Sequence, residues 1–149
     1  MAPVDGTAFA TSLGRGLSWV SSPVVAPRPI EVAREGLGAW RRGDFETVEQ
    51  LLDPDVEWLW FEPGDWDCRN REQVMRTLRQ RHAQGFAAGG LKFREAGETS
   101  VVVVSHPSEI GGPEWPDETA TVIDFRGGRI VSMREYRTEA EALAAVAHG

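Results

Sequence analysis

Cysteine is almost absent: Cys68 stands alone among 149 residues, so the chain can form no disulfide within itself. A lone thiol fits a reducing compartment, and the cytoplasm is the expected location. No run of roughly 18 consecutive apolar residues occurs, so no membrane-spanning helix is expected. The first residues hold neither a basic leader nor an apolar segment before a cleavage site, so secretion is not expected. Positive charge is in deficit, with 16 Lys and Arg against 23 Asp and Glu and a net charge of −7. That balance speaks against a broad nucleic-acid or anionic-membrane footprint, and neither partner is expected. Also missing are a Gly-rich phosphate loop, a Ser-His-Asp order and a pair of histidines one helical turn apart, so no cofactor is expected. His82, His106 and Cys68 match no compact zinc spacing, and no metal is expected.

What is present is the composition of an ordinary globular protein, 41% apolar and 26% charged, long enough for one domain with a real core. Residues 1–28 are rich in Ala, Gly, Ser, Thr and Pro without a sustained period and read as a flexible arm, although Trp19, Val20, Val24 and Val25 could pack on a neighbour. The domain is expected over residues 29–149. Pro29 suits a first helical turn, and Ile30, Ala33, Leu37 and Trp40 mark one buried face. Gly43 ends that helix and Asp44 caps a second, whose apolar face is Phe45, Val48, Leu51 and Leu52. Asp53-Pro54 stops it, because the residue before proline is pushed out of the right-handed helical region. Val56, Trp58 and Trp60 then alternate with Glu57 and Leu59, the period of a half-buried strand.

A polar loop over residues 62–70 carries Trp66. Asn70 then caps a third helix reaching Gln84, with Val74, Leu78 and His82 on its inner face. The basic stretch 69–81 reads as a solvated helix face, with a local anion site as the alternative. Residues 91–98, 100–106, 118–126 and 129–137 read as four strands, the last two joined by a Gly127-Gly128 hairpin. Residues 106–117 form a longer loop, and an alanine-rich helix closes the chain over 139–147. The order ααβαββββα, with late antiparallel hairpins and no internal repeat, predicts an α+β fold and not a Rossmann-type sheet.

The helix, Asp-Pro break and strand over residues 43–60 resemble the opening of the SnoaL-like, NTF2-like superfamily, and the likeness extends over 43–71 and 117–143. The resemblance implies a cone-shaped α+β domain. A curved, mainly antiparallel sheet would hold helices over its concave face and a pocket beneath them. It also implies a convex face left exposed, commonly used for a two-fold homodimer. Against the steroid isomerases of this superfamily, the general base falls on Trp60, the oxyanion tyrosine on Gly36 and the protonated aspartic acid near Thr121. An indole cannot accept a substrate proton and glycine has no hydroxyl, so that chemistry is not expected. Against the limonene epoxide hydrolases, the second catalytic carboxylate falls on Glu135. Their Arg-x-Asp pair meets Val104-Ser105-His106, which has no arginine, so that mechanism is not expected either. The SnoaL-like group that includes the polyketide cyclases is the better match. It implies a small apolar or polycyclic metabolite, bound or transformed by cofactor-independent acid/base chemistry.

Glu135 and His106 are the candidate catalytic residues. Glu135 shares a strand face with Met133 and Arg137, and that face points either into the cone or towards solvent or a partner. His106, at a strand end, is a general base or simply an exposed or capping histidine. Trp58, Trp60 and Trp66 either line a ligand cavity or fill it, and Thr121, Met133 and Arg137 complete the expected binding set. Cys68 beside Arg69 and Arg71 is an activated thiol or a small buried side chain. The alternative function is a non-catalytic binding or interaction module with a filled cone. A cavity of about 300 Å³ or more with a convergent carboxylate separates the two.

Overall fold

The computed structural model describes residues 27–148; residues 1–26, which make up nearly all of the expected arm, lie outside the described residues. The first helix, α1 (Pro29–Arg42), has proline in its first turn, and Glu31 accepts a hydrogen bond from the Arg28 N–H at 2.9 Å. It ends at Gly43, whose φ of 75° is a left-handed conformation that glycine adopts without steric cost. Asp44 then caps α2 (Phe45–Leu51), accepting from the N–H and hydroxyl of Thr47 at 3.3 and 2.7 Å.

Strand β1 (Leu52–Leu59) starts directly after α2, two residues before Pro54. The proline is accommodated because β1 is an edge strand and its pairing slips between Leu52 and Glu57. Asn70 caps α3 (Arg71–Ala83), accepting from Gln73 N–H at 2.9 Å. After one 3₁₀ turn (Phe86–Ala88) come β2 (Leu91–Glu95), β3 (Ser100–Ser105), the short α4 (Ser108–Gly111), β4 (Thr119–Arg126), β5 (Arg129–Tyr136) and α5 (Glu139–His148). Gly127 and Gly128 both have positive φ, 61° and 79°, which two-residue hairpin turns of this kind require.

The five strands form one curved sheet in the order β1-β5-β4-β3-β2, antiparallel except for the parallel β1–β5 pair. The expected α+β class is the one observed. One face carries α1, α2 and α3 over Val56, Trp58, Val101, Val103, Ile123 and Met133. The opposite face was expected to lie open. Instead α5 packs there, with Ala142, Leu143 and Val146 against Val102, Val104, Ala120 and Val122. Glu139 anchors that helix to the far edge of the sheet through Arg94 Nε at 2.6 Å and Lys92 Nζ at 3.1 Å. Two covered faces explain the unbroken run of valines in β3: alternate residues point to different cores, and both are dry. Among the described residues no helix is long and apolar enough to cross a membrane.

Candidate functional site

Between the helical layer and the sheet lies a cavity of about 540 Å³. Strand β1 supplies Trp58 and the residue after it supplies Trp60, whose rings stack with centroids 5.2 Å apart. The loop 60–70 doubles back on β1, where Trp58 and Cys68 exchange backbone hydrogen bonds of 2.9 Å in each direction. This return, steadied by Asp67 Oδ1 accepting from Trp60 N–H at 2.9 Å, brings Trp66 to the cavity mouth, where it is 61% exposed.

Thr121 on β4 and Glu135 on β5 are direct cross-strand partners on the cavity-facing side. Glu135 is buried at 5% exposure. Its Oε2 accepts from Trp58 Nε1–H at 2.7 Å and from the Thr121 hydroxyl at 2.8 Å; Oε1 meets only that same hydroxyl, at 3.0 Å. One hydroxyl proton cannot fully satisfy both oxygens, so Oε1 keeps acceptor capacity. Burial pushes the Glu135 pKa up, and the hydrogen bonds from Trp58 and Thr121 counter that only in part. No cation pairs with it among the described residues.

Met133 lines the same cavity, but Arg137 does not. The alternation that was expected to aim all three side chains one way ends with β5 at Tyr136. Arg137 instead lies 4.5 Å above the Phe61 ring and pairs with Glu62 at 3.6 Å, largely in solvent. His106 lines the rim and is exposed, with Nδ1 2.9 Å from the Asp117 carbonyl. A carbonyl can only accept, so Nδ1 carries the proton and Nε2 is left as the basic nitrogen of the neutral ring. His82 faces α1 and α2 instead, with its ring edge against Phe45 at 5.3 Å and Nε2 3.4 Å from the Arg41 carbonyl. Cys68 is a buried side chain against Thr77 Oγ1 at 3.6 Å. Arg69 is engaged by Glu57 and Asp67, and Arg71 by the Leu52 carbonyl. Among the described residues, no three His, Cys, Asp or Glu side chains lie together as a metal-holding group.

Sequence reasoning passed over Arg81 and Trp115. Arg81 is 9% exposed and lines the cavity, and Trp115, from the loop after α4, packs on Phe86 with ring centroids 4.5 Å apart. Spacing offered only an ambiguous signal for Arg81: it lies seven residues after Val74 and three after Leu78, on the apolar stripe of α3, but His82, four after Leu78, fits that stripe too.

No family model and no curated protein sequence matches the chain. Solved structures do match. An NTF2-like protein of unknown function from Cytophaga hutchinsonii aligns over 76% of this chain and 93% of its own, at 13% identity and a TM-score of 0.56. An NTF2-like protein of unknown function from Burkholderia xenovorans aligns over 71% and 79%, at 20% identity and a TM-score of 0.54. A de novo designed protein with a curved β-sheet aligns over 79% and 93%, at 18% identity and a TM-score of 0.54. The chain has the NTF2-like fold. That a designed protein shares it makes plain that the fold alone assigns no chemistry.

Proposed function

We propose that the cavity binds a small apolar or polycyclic metabolite and transforms it by cofactor-independent acid/base chemistry, in the manner of the polyketide cyclases that the sequence resembles. The observation that carries this reading is Glu135: a buried carboxyl with no cation paired to it among the described residues, held by an indole N–H and a hydroxyl at the wall of a cavity lined mainly by aromatic and aliphatic side chains. A carboxyl whose pKa is raised by burial suits proton transfer closer to neutral pH than a solvated one. In this proposal Glu135 Oε1 takes a proton from a carbon next to a ligand carbonyl. It then returns the proton elsewhere on the same ligand, so that the protein ends unchanged. His106 Nε2 at the rim is the second proton-transfer group, and Trp58, Trp60, Trp66, Thr121 and Met133 form the walls. The cavity volume favours this over an interaction module with a filled cone.

A panel of polycyclic ketones tests it by thermal shift, since a ligand that binds only the folded state must raise the melting temperature. At least one is expected to do so, and Glu135→Gln is expected to abolish its turnover while leaving its binding within about threefold. No binder in the panel, or full turnover by the Gln variant, would overturn the reading.

A further inference from the structure

Arg81 is a buried cation for which the described chain supplies no carboxylate within ion-pair distance. Its one hydrogen bond among the described residues runs from Nη1 to the neutral Gln84 Oε1 at 3.2 Å. Four aromatic rings surround the guanidinium, with centroids at 4.7 Å (Trp115), 5.4 Å (Trp66), 5.7 Å (Trp60) and 6.0 Å (Phe86). Rings attract the positive charge but give its five N–H groups no lone pair in the plane where they point. Beside it, Trp60 Nε1 is buried with no acceptor among the described residues. Two neighbouring side chains therefore carry N–H donors against an aromatic wall: Trp60 Nε1 has no acceptor among the described residues, and Arg81 has one for its five N–H groups.

Glu135 does not fill this need. The stacked indoles of Trp58 and Trp60 intervene: Glu135 is bonded to the first and Arg81 sits over the second. The cavity thus has a carboxyl at one place, a guanidinium at another and an aromatic wall between. We propose that the ligand is an aromatic or polycyclic monocarboxylate whose acid group docks on Arg81 and Trp60 Nε1 while its rings lie along the indoles. A planar carboxylate matches the guanidinium fork. A phosphate dianion matches less well, because only one buried cation is present among the described residues, Glu114 stands on the cavity lining and the chain carries a net charge of −7. This inference rests on the ligand-binding reading above and narrows it to a substrate class.

The test uses 1-pyrenebutyric acid and its methyl ester at pH 7.5, with binding followed by quenching of tryptophan emission. The wild-type chain is expected to bind the acid at least about tenfold more tightly than the ester. In Arg81→Met the acid is expected to fall to the level of the ester, whose own affinity changes less than threefold. Trp60→Phe keeps a ring and removes the N–H, and it is expected to weaken the acid severalfold more than the ester. Equal affinity of acid and ester for the wild type overturns the anion site while leaving the cavity reading intact, and needs no variant that folds. A preference for the acid that survives in Arg81→Met overturns the role of Arg81. Binding of neither compound overturns this substrate class, and the ketone panel then decides the broader reading.

Discussion

Glu135 is held by partners that suit either protonation state: as an acid it donates one hydrogen bond, and as a carboxylate it accepts from Trp58 and Thr121. Because burial raises its folded-state pKa, the folded chain holds that proton more tightly than the unfolded chain does. Its contribution to stability is therefore complete below the ordinary glutamate pKa and is lost as pH rises through the elevated folded value. A glutamine side chain in its place would be neutral throughout, with an amide oxygen for the Trp58 N–H and an NH₂ for the Thr121 oxygen. We expect Glu135→Gln to match the wild type near pH 4. It should gain on it as pH rises through the elevated folded value, and melt higher than the wild type at pH 8. Melting curves across that range check it; a difference independent of pH would mean that the two states hold the proton equally.

At the scale of elements, the segment from His106 to Asp117 behaves as a built flap over one side of the cavity. Its two ends are joined by the His106 Nδ1 to Asp117 carbonyl bond and by Ser108 Oγ to Asp117 Oδ1 at 2.8 Å. Its Trp115 lies so close to the Gly111 backbone that a methyl group there would collide with the indole. Gly111→Ala should push Trp115 away from Phe86 and Arg81, costing about 1 kcal/mol by overpacking and shifting tryptophan emission to the red. Unchanged emission would show that the flap absorbs the methyl group elsewhere. Much of the frame around this flap was legible in the sequence. Asp44 and Asn70 announced two helix starts, Gly43 a helix end, and Gly127-Gly128 a hairpin, because each is a local rule with a local cause. The inward facing of Arg81 was not legible, since Val74 and Leu78 are equally consistent with continuing the stripe through Arg81 or His82; packing against α1 and α2 took His82 sideways. The outward turn of Arg137 was hidden for a similar reason: alternation holds only while the strand lasts, and where pairing stops is decided by the partner strand. Cover over the second sheet face was not anticipated: the unbroken valines of β3 are its local trace, but the helix that supplies it arrives by long-range packing.

For the whole molecule, the pairing of β1 with β5 has a consequence in time. β2 to β5 pair with sequence neighbours, whereas Leu59 meets Arg134 across about 75 intervening positions, a closure that costs chain entropy before any contact repays it. The meander should therefore assemble first and β1 dock last. Ile123→Ala, in β4, is then expected to slow refolding, whereas Val56→Ala, in β1, should leave refolding nearly unchanged and accelerate unfolding; stopped-flow measurements in urea separate the two. The reverse assignment would mean that β1 belongs to the nucleus. On the ribosome the same geometry sets a schedule. Trp58 leaves the exit tunnel long before Glu135, and until the last strand emerges the indole has no carboxyl to bond and the cavity has no wall on that side. Under the proposed function, a nascent chain could not hold its ligand until β5 is out, and the carboxyl and the missing wall would then arrive together.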